Sequence, residues 1–369
     1  SSPAASTASA TPAAGASASA TIAATASPTA GPKSTAPPVA PITTPTLRPP
    51  VHGEYLLYMA EILIPLEDIG LPATQPQLWL AEPDGTGVRK IFDGDLNGPL
   101  SPKRHNLDAV WAQDGSVIHI TEYPDLCVPH LYDMSPTGGV PVARSVATNK
   151  DMQFVWSPDD SQIAYFHFTS EDFICEQNGS EVMTHSLMVM NADGSGPRVV
   201  KANAWYEVTA WWPDGSALMA INPDTKRWYK VSLADGSASY LGVVGTYAEV
   251  SPNGAYIAYV HSGSLHVKTV EGGSDRNLGA QQPFAWSPTG SSLAVGGAQI
   301  WLVNPATGIG KVVYSGAASE LTWSPDGTQI AFLHALGSGR VEIKVLIPKV
   351  GTIVTIPGVS SAISLDWEP

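Results

Sequence analysis

Beyond Val51 the chain alternates between short apolar runs and clusters of Gly, Pro, Asp, Asn and Ser. In "ELTWSPDGTQIAFLH" apolar positions alternate with polar ones, "PDG" interrupts, and a second apolar run follows. A period of two sets one face of each run against a core, as in a strand. Proline fixes φ and glycine takes a positive φ, so "PDG" and "PNG" predict tight hairpin turns. The stretch 320–356 gives four strands: "ELTWS", "TQIAFLH", "RVEIKVL" and "TIVTI". A second turn signal separates strands three and four, as "EPDGTG", "NADGSG", "LADGSA" and "VEGGSD". Helical periodicity is absent from this part of the chain.

The unit recurs. Trp111, Trp156, Trp211, Val250, Trp286, Trp323 and Trp367 hold one position in it, at intervals centred on about 40 residues, the spacing of propeller blades. The first unit is split: "EYLLYMA", "QLWLAEP" and "VRKIF" match strands two, three and four, and the missing first strand is supplied by "AISLDWEP" from the far end. The expected fold is therefore all-β, a seven-bladed β-propeller of four-stranded antiparallel blades over 51–369. The C-terminal strand would join the N-terminal blade, closing the ring so that no strand edge is left free. Trp and Phe at alternating positions of strand one are expected to fill the wedges between blades.

Composition changes the picture at the N-terminus. Residues 1–50 are nearly all Ser, Ala, Thr and Pro, with Lys33 and Arg48 as the only charges. Such a stretch cannot bury enough apolar surface to offset its ordering entropy, and it reads as a disordered tether. The net charge is −14 with only 19 Lys and Arg, and the basic residues are not clustered. That excludes nucleic acid and adsorption to anionic lipid as expected partners. A small-residue tether ahead of a domain fits an extracytoplasmic protein, cell-surface or periplasmic. Bacterial lipoproteins often have this layout, so membrane attachment is expected only through a lipid anchor on the tether, and the chain is expected to be a monomer.

The loops joining strand two to three, and blade to blade, vary in length, whereas the opposite turns are short and repetitive. Residues 61–76, 93–106 and 169–184 read as long insertions where binding would live. Their acidic residues Glu67, Asp68, Glu171, Asp172 and Glu176 are candidate contacts. Cys127 and Cys175, the two cysteines, fall in strand two–three loops of neighbouring units. In an oxidising compartment they are expected to form a disulfide, and in a reducing one a pair of thiols. His167, His261 and His334 share one address at the end of strand two, but alternate blades hold them too far apart for one metal, so strand-end capping is the preferred reading.

Strand one lines the axis, and its start faces the loop-rich end. There the unit carries Asp108, Gln153, Tyr247, Glu320 and Ser364, with Glu207 and Gln282 one position earlier. This predicts an acidic, hydrogen-bonding channel mouth able to hold a cation or a basic peptide end, or else a hydrated funnel. Asp93, Asp95 and Asn97 alternate as at the start of a calcium loop, but Arg104 stands where the closing acid belongs, and a blade-to-blade turn is preferred. No cofactor is expected, calcium or another divalent ion being the alternative. Asn178-Gly-Ser is a glycosylation acceptor only in a host that glycosylates. No G-x-S-x-G, H-E-x-x-H or phosphate-binding loop occurs.

The "W-S-P-D-G-x-x-I-A" unit resembles the repeat of the TolB-like, WD40-like propeller proteins, over essentially all of 51–369. The family's namesake carries an α/β domain before its propeller; here that place holds the tether, so the namesake's partners are not carried across. Propellers host many functions. The expectation is a non-enzymatic binding or scaffold module presenting its loop-rich face to an envelope or extracellular protein or a glycan. The alternative is a metal-assisted, lyase-like enzyme acting on polysaccharide, since some lyases resemble this class.

Overall fold

The alternating runs become strands. The computed structural model describes residues 55–65, 72–93, 106–123, 130–144, 148, 150–168, 185–203, 206–280, 283–359 and 361–369, and every regular element among them is a strand. The tether, both cysteines, Gln282, Asp95, Asn97 and the acidic loop residues at 67, 68, 171, 172 and 176 lie outside the described residues.

In chain order the first sheet holds β1 (Leu56–Pro65), β2 (Pro72–Ala81) and β3 (Arg89–Phe92). The second holds β4 (Asn106–Trp111), β5 (Ile118–Tyr123), β6 (His130–Met134) and β7 (Val142–Arg144). The third holds β8 (Asp151–Trp156), β9 (Gln162–Phe168), β10 (His185–Asn191) and β11 (Arg198–Lys201). The fourth holds β12 (Glu207–Trp211), β13 (Ala217–Asn222), β14 (Arg227–Ser232) and β15 (Ala238–Val244). The fifth holds β16 (Tyr247–Val250), β17 (Tyr256–His261), β18 (Ser264–Thr269) and β19 (Arg276–Ala280). Then come β20 (Phe284–Trp286), β21 (Leu293–Val295), β22 (Gly297–Val303), β23 (Gly310–Trp323), β24 (Ile330–Gly337), β25 (Arg340–Ile347) and β26 (Thr352–Ile356), joined as one seven-stranded sheet. The last strand, β27 (Ala362–Trp367), returns to the first sheet in the order β27-β1-β2-β3. All pairings are antiparallel, and the architecture is a propeller of four-stranded blades.

Two departures from the sequence expectation stand out. The segment 61–76 was expected to be an irregular loop, yet β1 and β2 stay paired from Glu61↔Pro76 out to Pro65↔Pro72. The arm is a paired stretch of β1 and β2 that continues the sheet. The second departure is β23, 14 residues long, which pairs with β22 through Gly310–Ala318 and with β24 through Ser319–Trp323. No turn residue interrupts it where one blade was expected to hand over to the next.

The "SPDG" turns close as the turn chemistry requires. The amides of Gly215, Gly254, Gly290 and Gly327 donate back three residues, and these glycines sit at φ between 66 and 70. Ser251 and Ser324 hydroxyls donate to Asn253 and Asp326, and also accept from the backbone five residues on. In the third sheet the glycine is replaced by Asp160, which still takes φ 54 and sends its carboxylate across to the amide of Gln113. Asp is among the few residues that tolerate this conformation.

Apolar clusters fill the wedges between successive sheets. One joins Phe166, Leu187 and Val189 of the third sheet to Val208, Trp211 and Leu218 of the fourth. The strand-one tryptophans also tie sheets together: Trp211 Nε1 donates to Val155 O at 2.8 Å and Trp323 Nε1 to Ala285 O at 3.1 Å. Between the second and third sheets an apolar cluster of Leu131, Ile163 and Met190 is joined by polar and aromatic groups. Buried His119 stacks on Trp156 with ring centroids 3.7 Å apart, and the Arg144 guanidinium lies 5.1 Å from the Trp156 ring. Burial would raise the Asp133 carboxyl, but hydrogen bonds from His119 and Arg144 hold it below its usual range. At the outer turns the sheets nearly touch: a Cβ on Gly236, at φ 67, would lie 2.2 Å from Val200 O.

Candidate functional site at the channel mouth

Strand one of each sheet runs from the mouth towards the turns. Four of these strands, β8, β12, β23 and β27, shift register along their pairing, and in β8 and β23 the shifts fall between Met152 and Val155 and between Ser319 and Thr322. A bulge adds a residue on one strand and re-aims its side chain. The extra residues here are Gln153 at φ 55 and Glu320 at φ 46. Neither residue type favours left-handed backbone, which costs on the order of 1–2 kcal/mol, and such outliers collect at functional sites. Both belong to the mouth that the repeat predicts.

Tyr247, Glu249, Phe284, Pro283, Ser319 and Glu320 line a cavity of about 720 Å³. A second cavity of about 480 Å³ adjoins it through Tyr247 and Glu249, and carries Glu207, Trp211, Lys226 and Trp228. The structure thus brings Glu207, Tyr247 and Glu320 of the predicted mouth into two adjoining clefts. The Tyr247 hydroxyl donates to Glu249, and its ring meets Phe284 edge to face at 5.5 Å. Burial pushes the Tyr247 phenol far up, helped by the charges of Glu249 and Glu320.

Burial also raises the carboxyls of Glu249 and Glu320, in the first case against the Tyr247 hydrogen bond. On another side of the axis Asp108 is open to water yet ringed by protein, and this desolvation lifts its carboxyl. Beside it Asp366 is pushed up to about 6 by burial and by the Asp108 charge, although the amides of Trp111 and Trp367 donate to it. The Gln153 side-chain oxygen is buried without a hydrogen-bond partner. These four strand-one carboxyls, each raised chiefly by desolvation, share one bias: each gains from a positive charge brought near.

Sequence reading missed Glu249 and Asp366. Each stands three residues before the unit's proline, where the predicted mouth residues stand five before it. Period-two alternation puts both addresses on one strand face, so the same signal extended by one pleat would have found them. The three histidines of the shared address do not meet over one ion. His167 bonds Asp151, while His261 and His334 bond the carbonyls of Val244 and Ala317, each tying strand two to the segment that enters its own sheet. Among the described residues no group of three or more His, Cys, Asp and Glu is placed to hold a metal. Asp93, from the calcium-like stretch, instead takes bonds from Gln77 and Lys90.

The fold is shared with solved propellers. A puromycin hydrolase S511A mutant complexed with PGG matches at TM-score 0.57 and 18% identity, over 84% of this chain and 53% of that one. The chain thus spans about half of that hydrolase. An oligogalacturonate lyase from Vibrio parahaemolyticus matches at TM-score 0.53 and 10% identity, over 80% and 98% of the two chains. TolB from Acinetobacter baumannii matches at TM-score 0.49 and 15% identity, over 87% and 68%. No known family description matches the sequence, and no curated protein does. Likeness at these identities establishes the propeller and leaves activity to the site.

Proposed function

We propose that the chain is a non-enzymatic, exported binding module whose mouth receives a cationic group, such as a lysine, arginine or terminal amine, from an envelope or extracellular protein. A ring of seven blades carries the mouth. The count is supported by five four-stranded sheets, by a seven-stranded sheet that divides at β23, and by seven apolar clusters that each bridge successive blades. Closure is supported by β27 pairing with β1 and by buried Glu368, whose amide and carboxylate both bond the Tyr55 backbone.

The observation that carries the binding reading is the pairing of left-handed polar residues, Gln153 and Glu320, with carboxyls raised by burial at the same mouth. A fold kept for scaffolding alone gains nothing from either feature. The lyase-like alternative draws on the oligogalacturonate lyase likeness in fold. The test replaces Glu320 by Gly. Glycine removes the left-handed penalty, so the variant should melt higher by about 1 kcal/mol of stability. The same variant should lose retention of lysine-rich peptides and of any envelope protein that wild type captures. Unchanged capture, with stability raised, would overturn the reading.

A further inference from the structure

His261 differs from the other strand-end histidines in having a second imidazole beside it. It ends β17, and His266 lies in β18 across a two-residue turn in which Ser262 and Gly263 take φ 48 and 74. In the register His261 pairs with Ser264 and Tyr259 with His266, so the two histidines are diagonal neighbours on one face of the sheet. Their ring centroids are 6.2 Å apart with planes at 81°.

Both Nδ1 atoms are engaged from behind. His261 Nδ1 lies 2.8 Å from the Val244 carbonyl, which can only accept, so that nitrogen carries the proton. His266 Nδ1 lies 3.2 Å from Asp275 Oδ1, and the other Asp275 oxygen takes the Tyr259 hydroxyl. Each bond leaves Nε2 with its lone pair. This is how metal-bound imidazoles are held in proteins, with a carbonyl or carboxylate on the far nitrogen fixing tautomer and angle. An ion about 2 Å from Nε2 lies about 3 Å from the ring centre, so two rings on one ion have centres about 5–6 Å apart. A small side-chain rotation closes the difference from 6.2 Å. His261 is exposed, which leaves the approach open, and Lys268, on the same strand face, donates to the Leu241 and Gly242 carbonyls.

We propose that His261 and His266 form an open two-imidazole site for a borderline divalent ion, Zn2+ or Cu2+, with Asp275 and Val244 holding the rings and water or a partner side chain completing the shell. The set needs no third ligand from this chain, and it is separate from the carboxyl-lined mouth. ZnCl2 titrated calorimetrically into the full chain should bind one equivalent at about micromolar affinity, and Cu2+ should give a spin-resonance spectrum with two nitrogen ligands. His261→Ala and His266→Ala should each abolish saturable binding, Asp275→Asn should weaken it about tenfold, and His334→Ala should leave it unchanged. His261 is exposed, so its variant tests the site even where substitution at half-buried His266 disturbs folding. No saturable binding by wild type, or one equivalent still bound by His261→Ala, would overturn the proposal.

Discussion

The two ends of the propeller use the same carboxylates in opposite ways. At the turn end Asp84, Asp159, Asp193, Asp214 and Asp235 are held below their usual range by hydroxyl and amide donors of a neighbouring serine or threonine. At the mouth end Asp108, Glu249, Glu320 and Asp366 are all raised, in each case chiefly by burial. Charge at the turns therefore favours the fold at neutral pH, and charge at the mouth opposes it. Nothing in strand pairing requires these acids, since other blades carry Val155, Ala285 and Thr322 at the address of Glu249 and Asp366, and Gln153, Tyr247 and Ser364 at that of Asp108 and Glu320. Under the proposed binding reading, acids kept where they oppose folding belong to the end that receives the cationic group.

The contrast can be broken most severely by deleting residues 362–369. That removes buried Trp367 and the Glu368–Tyr55 bonds and exposes the edge of β1; denaturant melts should show loss of the cooperative transition. At the turn end, Gly236→Ala sets a methyl against Val200 O at a φ that only glycine takes freely. It should cost about 3 kcal/mol in urea unfolding.

At the mouth, Asp366→Asn should have the opposite sign. Its carboxyl titrates from 3.8 when unfolded to about 6 in the fold, so the folded chain holds the proton more tightly. Stability then falls as the pH rises from about 4 to 6. Asparagine removes that fall while keeping an acceptor for Trp111, so the variant should be more stable by up to about 3 kcal/mol at pH 7 and close to wild type at pH 4. The smallest effect is expected of Asp326→Ala. Burial opposes its lowered carboxyl, but Ser324 and Thr328 donate to it. Here stability is present above about pH 4 and lost below it, with a difference of about 1 kcal/mol at pH 7 that shrinks in acid.

Most of the fold was legible because each blade repeats its own instructions. Trp323 stands between Thr322 and Ser324, and the Pro-Asp-Gly turn fixes where each pair of strands reverses. The split first blade was legible for the same reason, since "AISLDWEP" repeats a strand-one pattern. What was not legible lacks such punctuation. β23 runs through "SGAASE", whose small residues read as a break, because partners on either side rather than local preference hold it extended. The mouth was legible at one pleat and missed at the next: Glu249 looks like any polar strand residue until the axis shows what it faces. His266 gave no signal, since its meaning depends on lying diagonal to His261.

The unbroken β23 has a mechanical consequence. Between β15 and β16, by contrast, Gly245 and Thr246 lie outside the strands and separate one blade's outer edge from the next blade's inner one. Along Gly310–Trp323 one strand pairs first with β22 and then, through the bulge at Glu320, with β24, so the flanking blades are joined without an intervening loop. Load reaching the ring there passes on to the next compliant joint, and amides in those two blades should exchange with solvent as one cooperative block while their neighbours open singly.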